Sequence, residues 1–153
     1  MTDPEHCVQC GFEWLKIGFT EAASRLDAVT EAWVGVLRLA DAMLDERPSP
    51  TRWSVLECAS HVRDVLLSVR ERIITTAILD DFTGVALHRD ERVVLGFYRL
   101  DSREELIAEI PTAARLLAKT WTSLPSPYED RRYVFRVKHL AGEHLVGRRP
   151  SVA

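Results

Sequence analysis

Three stretches of the chain place reactive side chains at spacings that allow chemistry. In RWSVLECASHVRD, residues 52–64, an imidazole at His61 follows Glu57 by four positions. In HLAGEHL, residues 139–145, His139 and Glu143 are again four apart, with His144 next. For His139 and Glu143, on an α-helix, that offset puts the two side chains on one face, where an imidazole and a carboxylate can grip one divalent ion. His61 with His139 and Glu143 would supply two imidazoles and one carboxylate and leave coordination positions open, as a catalytic ion requires. His144 falls about 140° from His139 around a helix and shares a side with Val137 and Leu140, so one helix does not aim both histidines at one ion. The plainer reading is a hydrogen-bonded His61 at a helix edge and a solvated Glu143, and spacing alone accommodates both.

The third stretch is EHCVQCG, where Cys7 and Cys10 form a C-x-x-C pair. Alone this is half a zinc site. His6 could complete it, or the two thiolates could join His61 and a helix-four histidine in a closed Cys₂His₂ set that leaves no room for catalysis. A redox role fits less well, because no βαβ pattern surrounds the pair. Two free thiols in an N-terminal segment, residues 1–18, are the alternative. Cys58, the third cysteine, lies on an apolar stripe and reads as a small core residue.

These residues need helices to position them. Phe19, Ala22, Leu26, Val29, Trp33, Val36, Leu37, Ala40, Met43 and Leu44 repeat at helical spacing, which predicts a first helix to about Asp45, stopped by Pro48 and Pro50. A second begins at Ser54, where Ser54 and Glu57 have the spacing of a capping box and Trp53 can staple onto Cys58. Its stripe of Val55, Cys58, Val62, Val65, Leu66, Val69 and Ile73 continues toward Leu79, and His61 lies roughly 100° from the stripe's centre, just outside its edge. Residues 80–101 show no sustained period and read as a short helix, a strand or a loop over the bundle. A third helix starts at Ser102, again with a capping glutamate at Glu105, and runs to Trp121 with a kink expected at Pro111. A fourth, shorter helix is expected over Tyr133 to Val146, ended by Gly147. The expectation is therefore an all-α protein, a four-helix bundle in a single domain over residues 1–153, with a less regular segment between helices two and three.

Composition narrows the partners. With 20 basic and 23 acidic residues the formal charge is −3, which provides no basic field for nucleic acid. No apolar run of about 18 residues is present to span a membrane, and the N-terminus lacks a signal-peptide pattern. A cytoplasmic location is expected, and the 3 cysteines then read as reduced thiols or ligands. Arginine greatly outnumbers lysine, which points to a GC-rich genome. His88 among charged neighbours is expected to be exposed, and Trp33, Trp53 and Trp121 to pack in the core.

The stretch from Trp53 to Asp64 resembles the second-helix signature of the DinB-like superfamily, W-S-x-x-E-x-x-x-H-x-x-D, and RDERVVLGFY, HLAGEHL and CVQCGF are similar to segments of its actinobacterial members. The resemblance implies a four-helix bundle holding a divalent ion, zinc or nickel, through one histidine on helix two and two ligands four residues apart on helix four. His61 matches the first position, and His139 with Glu143 the other two. Family members commonly show a histidine, three residues, then two histidines, so Glu143 departs from the pattern and His144 keeps it. Relatives include small-thiol-dependent transferases and a mycothiol-dependent maleylpyruvate isomerase. The implied function is a thiol transferase or isomerase acting on a small molecule, with mycothiol as a candidate cosubstrate and a second copy of the chain as a candidate partner. A metal-dependent hydrolase at the same site, and a non-catalytic bundle with a Cys₂His₂ zinc site, are the alternatives.

Overall fold

The computed structural model describes residues 19–39, 43–80, 82–125, 133–136 and 143–146. Four helices account for most of them: α1 (Phe19–Leu39), α2 (Val55–Ile78), the short α3 (Arg89–Val94) and α4 (Arg103–Thr122). A 3₁₀ turn (Phe97–Arg99) and three short strands, β1 (Thr83–Gly84), β2 (Tyr133–Arg136) and β3 (Glu143–Val146), complete the described elements.

The chain starts α2 and α4 by the same device. The Ser54 hydroxyl accepts from the Glu57 amide at 3.1 Å while the Glu57 carboxylate accepts from the Ser54 amide at 2.9 Å. Ser102 and Glu105 repeat the exchange at 3.2 and 2.8 Å. Each box satisfies donors that a helix start otherwise leaves orphaned, which is why both starts were readable beforehand. α4 continues through Pro111 as one element. α1 is described as far as Leu39; at the expected end, Leu44 and Asp45 lie in a turn, and the carbonyl of the buried Leu44 accepts the Leu56 amide at 2.9 Å.

α4 packs against both α1 and α2. Its Leu106, Ile110, Ala113, Ala114 and Leu117 meet Leu37 of α1 and Ala59 and Leu66 of α2, with Leu26, Trp33, Val62, Val69 and Ile73 closing over them. Alanines at the helix crossings let the backbones approach while the larger side chains fill the space around them.

Among the described residues, Tyr133–Arg136 and Glu143–Val146 are strands where the fourth helix is expected. β2 and β3 pair antiparallel there, with Tyr133 opposite Val146, Phe135 opposite His144 and Arg136 opposite Glu143. β1 adds to β2 in parallel, Thr83 with Val134 and Gly84 with Phe135. Tyr133, Val134, Phe135 and Val146 are β-branched or aromatic, types that suit a strand, and a short apolar run does not by itself separate period two from 3.6. The edge of β1, from the segment that had no clear period, decides the matter by offering backbone partners. The protein is thus predominantly helical, with a small mixed sheet in place of the expected fourth helix.

Candidate functional site around His61

Glu57, His61 and Asp64 follow one another at offsets of four and three, so they share a face of α2 that points away from the core stripe. That face is covered by the segment 89–99, in which α3, a left-handed Gly96 (φ 77°) and the 3₁₀ turn fold back onto α2. The contacts run in register along the helix. Arg99 Nε lies 3.9 Å from Glu57 Oε1, the Tyr98 hydroxyl lies 3.3 Å from His61 Nδ1, and Arg92 Nη1 hydrogen-bonds Asp64 Oδ2. Arg92 also donates to the Leu87 carbonyl at 2.8 Å, tying the segment's own start to the same cation.

Among the described residues Tyr98 is the largest fully buried side chain, 1% exposed, although neither composition nor period marks it. Burial and then the charge of Asp64 push its phenol up to about 12. His61 is half-buried between Tyr98 and Trp53, whose ring meets the imidazole edge to face with centroids 5.4 Å apart. The Arg89 guanidinium lies 5.8 Å from the centroid of Trp53. Burial, then the positive charge of Arg89, holds the imidazole below its ordinary value, with Asp64 opposing and Arg92 assisting. His61 is therefore kept as a neutral imidazole, the form that binds metals or accepts protons.

Asp64 is in turn held by two arginines. Arg63 reaches it at 3.0 Å and also spans to Asp101 and Glu109, both at 2.7 Å, joining α2 to the entrance and middle of α4. Burial opposes the Arg63 charge, and hydrogen bonds to Asp101 and Glu109 outweigh it and raise its pKa. Glu57, 3% exposed, is more than a cap. Arg47 forks onto its carboxylate at 2.8 and 2.6 Å, and that hydrogen bonding holds Glu57 below the usual carboxylate range against the opposing effect of burial.

Two depressions flank this cluster. One, of about 600 Å³, is lined by Ser54, Glu57, Tyr98, Arg99, Asp101 and Arg103 among others; the second, about 260 Å³ and apolar, lies between α1 and α2 beside Trp33, Val36, Trp53, Val55 and Cys58. The Cys58 thiol is pushed up by burial and by Glu57, in keeping with an inert apolar role. His88 is exposed as expected, with Glu91 3.4 Å from its ring. Trp33 and Trp53 are half-buried, Trp33 against the core and Trp53 against His61.

The proposed ligands are distributed unevenly. His61 is placed on α2 as expected. Glu143 and His144 are residues of β3, so the helical offset that paired His139 with Glu143 does not hold at Glu143. His139, Cys7 and Cys10 lie outside the described residues. Among the described residues no three histidine, cysteine, aspartate or glutamate side chains converge as an ion would require. His61 fits one coordination position, and Asp64 does not supply a second, because both of its oxygens already serve arginines. Nothing in the sequence singles out Tyr98, Arg63 or Arg92 for these roles. The signal is present for Asp64, three residues beyond His61; Tyr98 and Arg92 come from a distant segment, as do Asp101 and Glu109, which give Arg63 its role. No helix among the described residues is long and apolar enough to cross a membrane. Comparison with protein-family models, curated proteins and solved structures finds no match to this chain.

Proposed function

We propose that the chain is a DinB-like metal-dependent protein that acts on a small molecule together with a small thiol, by transfer or isomerisation, and that His61 is the α2 ligand of its divalent ion. The observation that carries this reading is the setting of His61: a neutral imidazole fixed through Nδ1 by Tyr98 and at its edge by Trp53, so that Nε2 is the nitrogen left to donate. Ligating histidines are characteristically held through their other ring nitrogen in this way. His139 and Glu143, with His144, Cys7 and Cys10 behind them, are the candidates to complete the set. When bound, zinc or nickel would lower the pKa of a thiol so that a thiolate exists near neutral pH, and a bound water would serve the hydrolytic alternative equally.

A second reading has an observation of its own. The network of Tyr98, His61, Asp64, Arg63 and Arg92 fastens the 89–99 segment to α2 and α4, which is a sufficient structural task for every member. On that reading the protein is a non-catalytic bundle. Calorimetric titration of the metal-free protein with zinc and with nickel separates the two, using His61→Ala, His139→Ala and Glu143→Ala. Stoichiometric binding weakened by His61→Ala supports the first reading. Binding untouched by His61→Ala, or lost only with Cys7→Ser and Cys10→Ser, removes it.

A further inference from the structure

α1 carries more apolar surface than its packing uses. Its inward face, Leu26, Trp33 and Leu37 with the buried Thr30, meets the core. A second row, Val29, Ala32, Val36 and Leu39, runs about 110° around the helix from that face. It stays open: Val29, Val36 and Leu39 are 50%, 44% and 86% exposed, and Ala32 is exposed as well. Periodicity alone assigns Val29 and Val36 to the core stripe; the fold sends them outward. The row advances by three, four and three positions, the spacing of a coiled-coil seam, and the positions flanking it, Ala28, Trp33 and Gly35, carry no charge. Beside the row the helical layer is open too. α4 packs against both α1 and α2, whereas α1 and α2 approach each other little. Between them lies the apolar depression of about 260 Å³, walled by Ala32, Trp33 and Val36 of α1 and by Trp53, Val55 and Cys58 at the start of α2. Among the described residues no helix closes that side, where a four-helix bundle would carry its remaining member.

We propose that a second copy of this chain closes the open side: its α1 lies antiparallel along the Val29–Leu39 row and over the groove between α1 and α2, the two copies being related by a two-fold axis. Two-fold symmetry makes the row its own complement. Centred near residue 34, the pair sets Val29 opposite the partner's Leu39 and Ala32 opposite the partner's Val36, so a small side chain faces a larger one in the middle. Charge favours the antiparallel direction. Glu21, Asp27 and Glu31 lie toward the helix start and Arg38 in its last turn, so the acidic half of each helix runs beside the Arg38 end of the other, and the two helix dipoles oppose. At their exposed fractions the row and the groove walls offer on the order of 600 Å² per copy, and the pair buries roughly 1,200 Å², the lower edge of stable interfaces and more than a typical crystal contact. A dimer of micromolar affinity follows, because area at that edge leaves little surplus over the entropy lost on association. The other exposed apolar side chains, Val94, Leu95 and Leu100, sit on a short helix and turn with neither a groove nor a repeating row. The pairing rests on helix faces alone and stands apart from the reading of His61.

The test is sedimentation velocity of the full chain from low to high micromolar concentration, where the wild type is expected to pass from monomer to dimer. Val36→Glu and Ala32→Glu, each at an exposed position of α1, should weaken the association by about tenfold or more, since each buries a charge without a partner, while the helical circular dichroism is retained. Val94→Glu, on the other exposed patch, should dimerise like the wild type. In a sample mixed from ¹³C-labelled and unlabelled copies, isotope-filtered nuclear Overhauser spectra should connect Val29 with the partner's Leu39. A wild type that stays monomeric throughout overturns the proposal, as does a dimer that survives both α1 glutamates or is lost with Val94→Glu. Contacts between Val29 and the partner's Val29 would overturn the antiparallel pairing. A monomeric wild type that Val36→Glu unfolds would show the groove to be covered by this chain's own residues and exclude the second copy. Should one α1 variant fail to fold, the other and the filtered spectra of the wild type decide.

Discussion

His61 is useful chemically because it is kept neutral without being sealed away. Removing it should show which of its two tasks dominates. If His61 is the ligand proposed, His61→Ala weakens zinc or nickel binding by about tenfold or more while the helical circular dichroism is retained, because the core stripe is not touched. Unchanged affinity in the same titration would put the ion elsewhere. The depressed pKa also has a sign that can be read in stability. In the metal-free protein the unfolded chain takes up a proton near pH 6.5 and folded His61 does so only lower, so between those values the unfolded state binds more protons. The contribution of His61 is full above about pH 6.5 and is lost as pH falls through its folded value. Denaturant midpoints measured from pH 8 to 5 should fall more for the wild type than for His61→Ala; parallel curves would contradict the depressed pKa.

At the scale of elements, α2 is specified locally and the 89–99 segment is not. Ser54 is buried and caps α2 by a side-chain bond of 3.1 Å, so Ser54→Ala should cost roughly 1 kcal/mol in urea unfolding. A change within a few tenths would mean that Arg47 and Glu57 hold the helix start without it. The covering segment turns Val93 and Tyr98 inward but leaves Val94 and Leu95 outward, 84% and 68% exposed, so few apolar contacts fasten it. Its hold is the buried Val93 and Tyr98 side chains and the bond from Arg92 to Asp64. Amides of residues 92–99 should accordingly exchange with deuterium faster than those of α2 and α4, and Arg92→Ala should accelerate them further with little effect on the helices. Uniform protection across all three would show the segment to be part of one cooperative unit. Gly96 permits the return at φ 77°, a conformation that costs an L-residue about 1–2 kcal/mol.

The whole molecule is held by the meeting of α1, α2 and α4. Ile110 is fully buried where α4 crosses its neighbours, and Ile110→Ala should cost about 2–5 kcal/mol by urea or thermal unfolding, the range for deleting a buried aliphatic side chain that its surroundings cannot refill. A loss under 1 kcal/mol would mean that this interface is not the core. Charge pairing adds a second layer. Arg63 joins Asp64 on α2 to Asp101 and Glu109, and Arg47 joins the 44–52 turn region to α2 through Glu57. Replacing Arg63 would leave Asp101, most of whose surface is buried, without the cation that balances it, so the effect should exceed that of an exposed ion pair.

What could be read in the residues was local. Ser54 with Glu57 and Ser102 with Glu105 announced two helix starts, because a capping box is completed within four residues; the apolar periods of α1, α2 and α4 announced the faces that would meet. The border position of His61 was legible for the same reason, since helical geometry alone places it relative to the stripe. Its surroundings were not. Tyr98 and Arg92 lie 37 and 28 positions away from the residues they bond, and only the fold brings them together. The same holds for Tyr133 to Val146, whose short apolar runs are compatible with helix or strand and whose pairing partners are supplied by Thr83 and Gly84 from another part of the chain. Periodicity and caps fix an element where its energy comes from its own neighbours along the chain; where backbone partners or a buried polar network come from distant segments, the choice belongs to the tertiary structure.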